Sequence, residues 1–384
     1  MPLVSPATSE AGILSLSFNQ DNSCVAVATL EGIRIFGTDV RRVLYSYDVG
    51  AVSLVEMLFC TSLMAFVGAG EQPALTPRKL VLMNTTSQKV IKELTFPAAI
   101  LAIKMNRRRL VVVLERKAYV YELDTLSQLR VLDTPPNPKG VCTLSSGTDP
   151  CYLGLPSSST SGVMRIYDVM VDGGNVLCEI NAHKGALACL AINHDSTMIA
   201  SASLKGTIIQ IHSLPQAQRT LKLRRGSTPA TIHCLSFSPA GVDPPLLAAA
   251  GSHGTIHVFK LEDADKSPVM TVASAAAGVL SAVTGYVVND MIDPVRSTVS
   301  VSLPCQGVPS ICAVLNTANV EDDGDQEHDS QNSPVDPESD GVMLVVATAD
   351  AFLYEYRISD FRSGDGPKAV RSGECRLLGT RKPR

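Results

Sequence analysis

Three short strand-like runs recur along the chain in a fixed order, and this repeat is the strongest constraint on the fold. In the first copy, Ile13–Phe18 is followed by Cys24–Ala28 and then by Gly32–Phe36. These runs are rich in residues typical of strands and are separated by turn-forming residues. The copies start about 40–47 residues apart, the period expected of propeller blades. The seven copies, with weaker ones at Val52, Val141 and Ile311, start near Ile13, Val52, Ile100, Val141, Ala186, Thr231 and Ile311.

Seven copies predict an all-β fold, a single seven-bladed β-propeller with four-stranded antiparallel blades spanning residues 1–384. A blade cannot bury its faces alone, and closure of the ring protects the edges of its sheets. The chain has no tryptophan, so the Trp-Asp pair of ordinary WD repeats is absent. The interval from Thr231 to Ile311 is nearly double the usual period and is therefore predicted to contain an insertion.

The composition of the chain limits the classes of function that it can have. Hydrophobic residues make up 45% of the chain and charged residues 18%, enough apolar material for a large core. The formal net charge of -4 argues against a basic nucleic-acid binder, so anion binding has to come from local clusters. The ten cysteines form no CxxC pair, and Met1–Glu10 has no signal-peptide pattern. We therefore expect a protein of the reducing cytosol.

Two insertions interrupt the repeat. Residues 263–297 are predicted to form a membrane-interacting loop, because Val269–Val288 is apolar, uncharged and rich in small residues. A disordered loop, or a helix packed on the propeller, would account for the same composition. Residues 321–340 are acidic and lack an apolar run, which predicts a disordered loop. The residues expected to enter the bilayer are Val279, Leu280 and Val283.

Two adjacent arginines lie in the run Leu223–Gly226, between two predicted strands. Successive side chains of a strand point to opposite faces, so Arg224 and Arg225 are predicted to serve separate pockets. A guanidinium is permanently charged and suits bidentate contact with phosphate oxygens. The pair therefore predicts two phosphate sites on either side of one strand, with both side chains facing solvent. The alternative is a pair of solvated charges at the end of a strand.

The Leu223–Gly226 run resembles the [FL]RRG motif of the PROPPINs, the phosphoinositide-binding β-propellers of autophagy. Ser203–Thr207, with the sequence SLKGT, matches the turn that precedes this motif in the family. Gly254–Phe259, with the sequence GTIHVF, matches the strand that follows it. Thr231–Phe237 also resembles a strand of the family, and the detailed similarity covers about residues 181–261.

The resemblance implies two headgroup sites, one on each side of the arginine pair. Two positions depart from the family pattern. Gln210 stands where many members have an arginine, and Gly251 stands where the pattern has a serine, with Ser252 one position later. Residues implied for site 1 are His183, Ser203, Lys205, Thr207 and Arg224. Residues implied for site 2 are Arg225, Ser252, Thr255 and His257.

Each of these residues also has a plainer interpretation. The alternative for His183 is a turn histidine that bonds to backbone, and the alternative for Ser203, Thr207 and Thr255 is a hydroxyl that bonds turn backbone. His253 and His257 lie four residues apart on one strand face, but no further ligands are evident, so no metal site is predicted. Arg107–Arg109 is interpreted as a solvated turn or as a partner contact, because the family binds autophagy proteins through its second and third blades.

The resemblance implies a non-catalytic scaffold that binds phosphatidylinositol 3-phosphate and the 3,5-bisphosphate in membranes and recruits autophagy scaffold proteins. It would be cytoplasmic and peripheral on autophagic (pre-autophagosomal), endosomal or vacuolar membranes, without a cofactor. The alternative is a propeller that binds proteins but no lipid. The chain has no GxSxG, HExxH, Walker or GxGxxG motif in the required setting, so an enzyme is not expected.

Overall fold

The computed structural model describes residues 11–171, 174–261, 294–316, 341–361 and 366–378. Within these ranges the regular elements are 29 β-strands, β1 to β29 in chain order, and none is a helix. Accordingly, this part of the chain contains no helix able to cross a membrane. The strands form seven sheets, each built around four antiparallel strands arranged in sequence order. The predicted seven-bladed propeller with four-stranded antiparallel blades is confirmed.

Each blade runs from an innermost to an outermost strand in sequence order. The strands of blades 1 to 4 are β1 Ile13–Phe18, β2 Cys24–Thr29, β3 Ile33–Gly37, β4 Arg42–Tyr47, β5 Val52–Met57, β6 Leu63–Gly68, β7 Lys79–Asn84, β8 Lys89–Thr95, β9 Ala102–Met105, β10 Arg109–Val113, β11 Lys117–Glu122, β12 Gln128–Asp133, β13 Thr143–Leu144, β14 Tyr152–Pro156, β15 Gly162–Asp168 and β16 Asn175–His183. Blade 5 consists of β17 Leu187–Ile192, β18 Met198–Ser203, β19 Ile208–Ser213 and β20 Arg219–Arg224, joined by the short strand β24 Val295–Arg296. Blade 6 consists of β21 Ile232–Phe237, β22 Leu246–Gly251, β23 Thr255–Lys260 and β25 Val299–Ser302. Blade 7 consists of β26 Ser310–Asn316, β27 Val342–Thr348, β28 Phe352–Ser359 and β29 Lys368–Arg376.

The apolar core is divided among the interfaces between neighbouring blades. A strand such as β2 is buried on both faces, whereas the outermost strand β8 is largely exposed. Blades 1 and 7 share one apolar cluster, in which Ile13 and Phe36 belong to the same buried group as Leu353 and Leu377. Strand β26 also lies beside both β1 and β21. Among the described strands, none is exchanged between the first and the last blade, and the ring closes by packing of side chains between these two four-stranded blades.

Blade 5 carries an additional short strand. Strand β24 pairs in parallel with β20, the outermost strand of blade 5, and the chain then continues into β25, the outermost strand of blade 6. Of the predicted membrane loop, 263–297, the last residues from 294 onward are thus part of the folded sheet region. Val279, Leu280 and Val283 lie outside the described residues, as does the predicted acidic loop at 321–340.

Candidate functional site

The sheet register places the two adjacent arginines on opposite sides of blade 5. Leu223 is buried in the apolar cluster between blades 5 and 6. Its neighbour Arg224, the last residue of β20, therefore points to the other side, toward blade 4. Arg225 follows the end of the strand, and its charge acts on His257 of blade 6. Strand alternation thus directs Arg224 toward blade 4, whereas the turn after β20 places the Arg225 guanidinium through its contacts with the Gly206 and Thr228 carbonyls.

On the blade 4 side, His183 ends strand β16 and is buried, with 8% of its surface exposed. Its Nε2 lies 3.1 Å from the Ser201 carbonyl oxygen and 3.0 Å from the Ser201 hydroxyl. Burial lowers the pKa of His183 from 6.5 to about 4, so the ring is neutral at pH 7. The neutral imidazole forms its hydrogen bonds with Ser201 of blade 5, which agrees with the interpretation of His183 as a histidine that bonds backbone. It lends no positive charge to site 1.

Among the other site 1 residues, Ser203 is buried, Thr207 is half-buried, and Lys205 and Arg224 are exposed. Ser203–Thr207 forms the predicted turn, in which the Gly206 N–H donates to the Ser203 carbonyl oxygen at 2.9 Å. The Thr207 carbonyl oxygen in turn accepts the Arg225 N–H at 3.0 Å. The SLKGT turn therefore holds the backbone of the arginine motif in place.

Arg225 differs from the expectation that both arginines face solvent, which holds for Arg224 alone. Only 9% of the Arg225 surface is exposed. Its Nε donates to the Gly206 carbonyl oxygen at 3.0 Å, and its Nη2 donates to the Thr228 carbonyl oxygen. The reason is that the chain turns after β20 and aims these two carbonyls at the guanidinium. Within the described ranges no hydrogen bond uses Nη1.

On the blade 6 side, Thr255 and His257 lie two residues apart in β23 and therefore on one face. The Nδ1 of His257 lies 3.3 Å from the Ser297 hydroxyl. Burial and the positive charge of Arg225 lower the pKa of His257 to about 4. Ser252 uses its hydroxyl oxygen to accept the Thr231 N–H at 3.2 Å.

Two residues near these grooves were missed by the sequence analysis. Ser297 contacts site 2 through His257, and Arg296 is the register partner of Arg224. Both follow an insertion and carry no local motif, so the sequence offered no signal for them.

The Arg107–Arg109 run contains one buried arginine and two exposed ones. Arg109 is buried and its Nε donates to the Val169 carbonyl oxygen at 2.7 Å, so it joins blades 3 and 4 and is not a solvated residue. Arg107 lies over the Phe59 ring, 4.6 Å from its centroid, and Arg108 lies 4.0 Å from Asp124. No cluster of metal-ligating side chains occurs among the residues that the structure describes.

The burial of His183 leads to a prediction about stability and pH. Its folded-state pKa of about 4 lies below the ordinary 6.5, so the unfolded chain binds the proton first. The stability linked to this group is therefore fully present above pH 6.5 and is lost as the pH falls toward 4. A group that takes up one proton on unfolding lowers the folded-to-unfolded ratio about tenfold per pH unit in that window.

We expect His183→Gln to lose stability less steeply than the wild type between pH 6.5 and 4. The measurement is the denaturant midpoint at several pH values. The control is His194→Gln, because His194 is an exposed histidine of the same propeller. A His183→Gln variant with the wild-type slope would contradict the neutral, buried state assigned to this ring.

The fold is a seven-bladed propeller in which two adjacent arginines lie on different sides of blade 5. The PROPPIN family model matches residues 12–321, and the chain belongs to this family. It is 37% identical to autophagy-related protein 18b of Arabidopsis thaliana over 347 residues, covering 90% of this chain and 91% of that protein. It is also 37% identical to autophagy-related protein 18 of Dictyostelium discoideum, covering 79% of this chain and 84% of that protein.

Solved structures agree on the fold. Hsv2 of Kluyveromyces lactis superposes with a TM-score of 0.71 at 18% identity, covering 95% of this chain and 99% of Hsv2. KlAtg21, solved in a complex with the coiled coil of AgAtg16, superposes with a TM-score of 0.66 at 24% identity, with coverage of 95% and 99%. These likenesses establish the seven-bladed architecture, and the relatives named above place the chain among autophagy-related proteins.

Proposed function

We propose that this protein is a non-catalytic scaffold that binds phosphatidylinositol 3-phosphate and phosphatidylinositol 3,5-bisphosphate on membranes during autophagy. The observation that carries the proposal is the opposite orientation of Arg224 and Arg225, which supplies one guanidinium to each of two grooves. A guanidinium forms short, charge-assisted hydrogen bonds to phosphate, about twice as strong as neutral ones.

Two weak sites on one rim would bind a membrane far more tightly than either site alone. Once the first headgroup is bound, the second binds at a high effective concentration, and avidity can exceed a single affinity by about 10²–10⁴-fold. Site 1 would use Arg224 with the hydroxyls of Ser203 and Thr207 and the Lys205 ammonium. Site 2 would use the free edge of Arg225 with Thr255 and His257.

The docked propeller would then recruit autophagy scaffold proteins, as family membership implies and as the complex of KlAtg21 with the AgAtg16 coiled coil exemplifies for that relative. The exposed pair of Arg107 on Phe59 and Arg108 beside Asp124 is a candidate contact for such a partner. The protein would be cytoplasmic and would bind autophagic (pre-autophagosomal), endosomal or vacuolar membranes peripherally.

The test is flotation of the full chain with liposomes that differ only in their phosphoinositide. We expect flotation with phosphatidylinositol 3-phosphate and with the 3,5-bisphosphate, and none with unphosphorylated phosphatidylinositol at the same charge density, set by phosphatidylserine. Equal flotation with all three liposomes would refute headgroup recognition. No flotation with any of them would favour the alternative, a protein-interaction platform that binds no lipid.

The apolar segment Val269–Val288 would add a second contact with the bilayer, and this contact is separable from headgroup binding. Replacing Val279, Leu280 and Val283 with aspartate is expected to reduce liposome flotation sharply, because an unpaired carboxylate is costly in hydrocarbon. Binding of a soluble headgroup should remain at the wild-type affinity. Aspartates introduced at Val43, Leu44 and Val370, which are exposed on outer strands, serve as the control. Wild-type flotation of the first triple variant would make the segment dispensable.

A further inference from the structure

Strand β24 brings a second guanidinium to the blade 4 side of the arginine motif. Its two residues pair in parallel with β20, Val295 with Leu223 and Arg296 with Arg224. Neighbouring strands lie about 4.7–4.9 Å apart, and laterally paired residues project from the same face of a sheet. Arg296 therefore projects beside Arg224 toward blade 4, whereas the next residue, Ser297, reaches the other side and contacts His257.

Both guanidiniums are exposed at this position. Within the described part of the chain, neither Arg224 nor Arg296 forms an ion pair with a carboxylate. Two like charges side by side repel each other. An anion with two negatively charged groups, one for each guanidinium, would relieve this repulsion.

Two other polar groups of the groove, Gln210 and His183, supply no positive charge. Gln210 lies on the same face of blade 5, since its neighbour two residues earlier, Ile208, pairs with Arg224. Its neutral amide donates to the Ala182 carbonyl oxygen of blade 4. His183 is neutral because burial lowers its pKa. Arg296 is thus the residue that adds a second guanidinium beside Arg224 on this face.

We propose that Arg296 is a ligand of site 1 and selects headgroups that carry two phosphomonoesters over headgroups that carry one. This inference rests on the proposed function, since it concerns the same groove. A bisphosphorylated headgroup offers a separate dianion to each guanidinium, whereas a single phosphomonoester can be bound by Arg224 alone. Arg296 thereby contributes much more to the binding of the first kind of headgroup than to that of the second.

The test compares Arg296→Gln with Arg357→Gln, a control that removes the same charge at another exposed arginine, on blade 7. Both changes are made in a His257→Ala background, so that binding reports mainly on site 1. The probes, titrated calorimetrically, are the glycerol 1-phosphodiesters of inositol 1,3,5-trisphosphate and of inositol 1,3-bisphosphate, which carry two and one phosphomonoesters as the lipids do, and inorganic phosphate. We expect Arg296→Gln to weaken the trisphosphate about tenfold, as for the loss of one charge-assisted contact, and the bisphosphate much less.

Arg357→Gln should leave both affinities unchanged, Arg296→Lys should restore part of the trisphosphate affinity, and inorganic phosphate should bind far more weakly than either inositol phosphate. If Arg296→Gln binds the trisphosphate like its background, or loses both inositol phosphates equally, the inference is wrong while the proposed function stands. Inorganic phosphate that binds as tightly as the trisphosphate would reduce the groove to a general anion site and overturn the selectivity. A folded wild type that binds neither inositol phosphate would overturn the proposed function as well.

Discussion

Replacing both Arg224 and Arg225 with threonine is expected to reduce flotation with phosphoinositide liposomes to the level seen without the phosphoinositide. The change removes one guanidinium from each groove, and neither groove retains another arginine from the motif. Arg224→Thr should leave folding intact because Arg224 is exposed. Arg225→Thr also removes two hydrogen bonds to the backbone carbonyls of Gly206 and Thr228. Each such bond to a charged group is worth about 1.5–3 kcal/mol, so the double variant should be measurably less stable.

The control for this double change is Arg107→Thr with Arg108→Thr, which removes the same charge from an adjacent pair in an exposed turn. It is expected to float like the wild type. Circular dichroism and a denaturant titration establish which variants are folded at the assay temperature. Arg224→Thr alone, which leaves the carbonyl contacts of Arg225 in place, keeps the test decisive even if the double variant unfolds. A folded double variant that still floats would show that the arginines do not bind the membrane.

Gly206→Ala is expected to destabilise the propeller and to disable site 2, although the residue touches no predicted headgroup. Gly206 has a φ of +60°, and a Cβ there would lie 1.8 Å from the Ala230 carbonyl oxygen. The left-handed conformation alone costs a residue with a Cβ about 1–2 kcal/mol, and the clash with backbone adds to this. The Gly206 carbonyl also accepts the Arg225 Nε–H at 3.0 Å, so displacement of the turn moves the guanidinium.

Gly185→Ala is the matched control, because a Cβ at Gly185 would have no atom within 4 Å. Surface substitutions away from special features usually change stability by less than about 0.5 kcal/mol. The denaturant midpoint and the affinity for a soluble headgroup are measured for both variants. Equal stability of the two alanine variants would contradict the turn geometry that holds Arg225.

Much of the fold could be predicted because the inner strands of each blade are buried and therefore recur as apolar runs in the sequence. Inner strands such as Cys24–Thr29 are buried along their whole length and are visible as apolar runs. An outermost strand such as Lys89–Thr95 is mostly exposed and has no such signature, so the fourth strand of each blade was inferred from the period alone. The position of the inserted segment was likewise predictable from the doubled interval before Ile311.

The candidate site was predictable only where it depends on local sequence. Strand alternation predicted that Arg224 and Arg225 serve different sides. It did not predict that Arg225 would be buried, because the carbonyls of Gly206 and Thr228 come from turns whose approach depends on the assembled blade. Arg296 and Ser297 were missed for a related reason. They lie beside the motif because β24 pairs in parallel with β20, and a long insertion separates the two strands in the sequence. The spacing of residues along the chain does not predict such a contact.

The most direct test of the two-groove account is the stoichiometry of a soluble headgroup. We predict that calorimetric titration of the folded wild-type chain with inositol 1,3-bisphosphate gives two molecules bound per chain. Arg224→Ala should reduce this number to one, because it empties the groove toward blade 4 and leaves Arg225 beside His257 in place. A wild type that binds a single headgroup, with Arg224→Ala abolishing binding altogether, would contradict the assignment of one arginine to each groove.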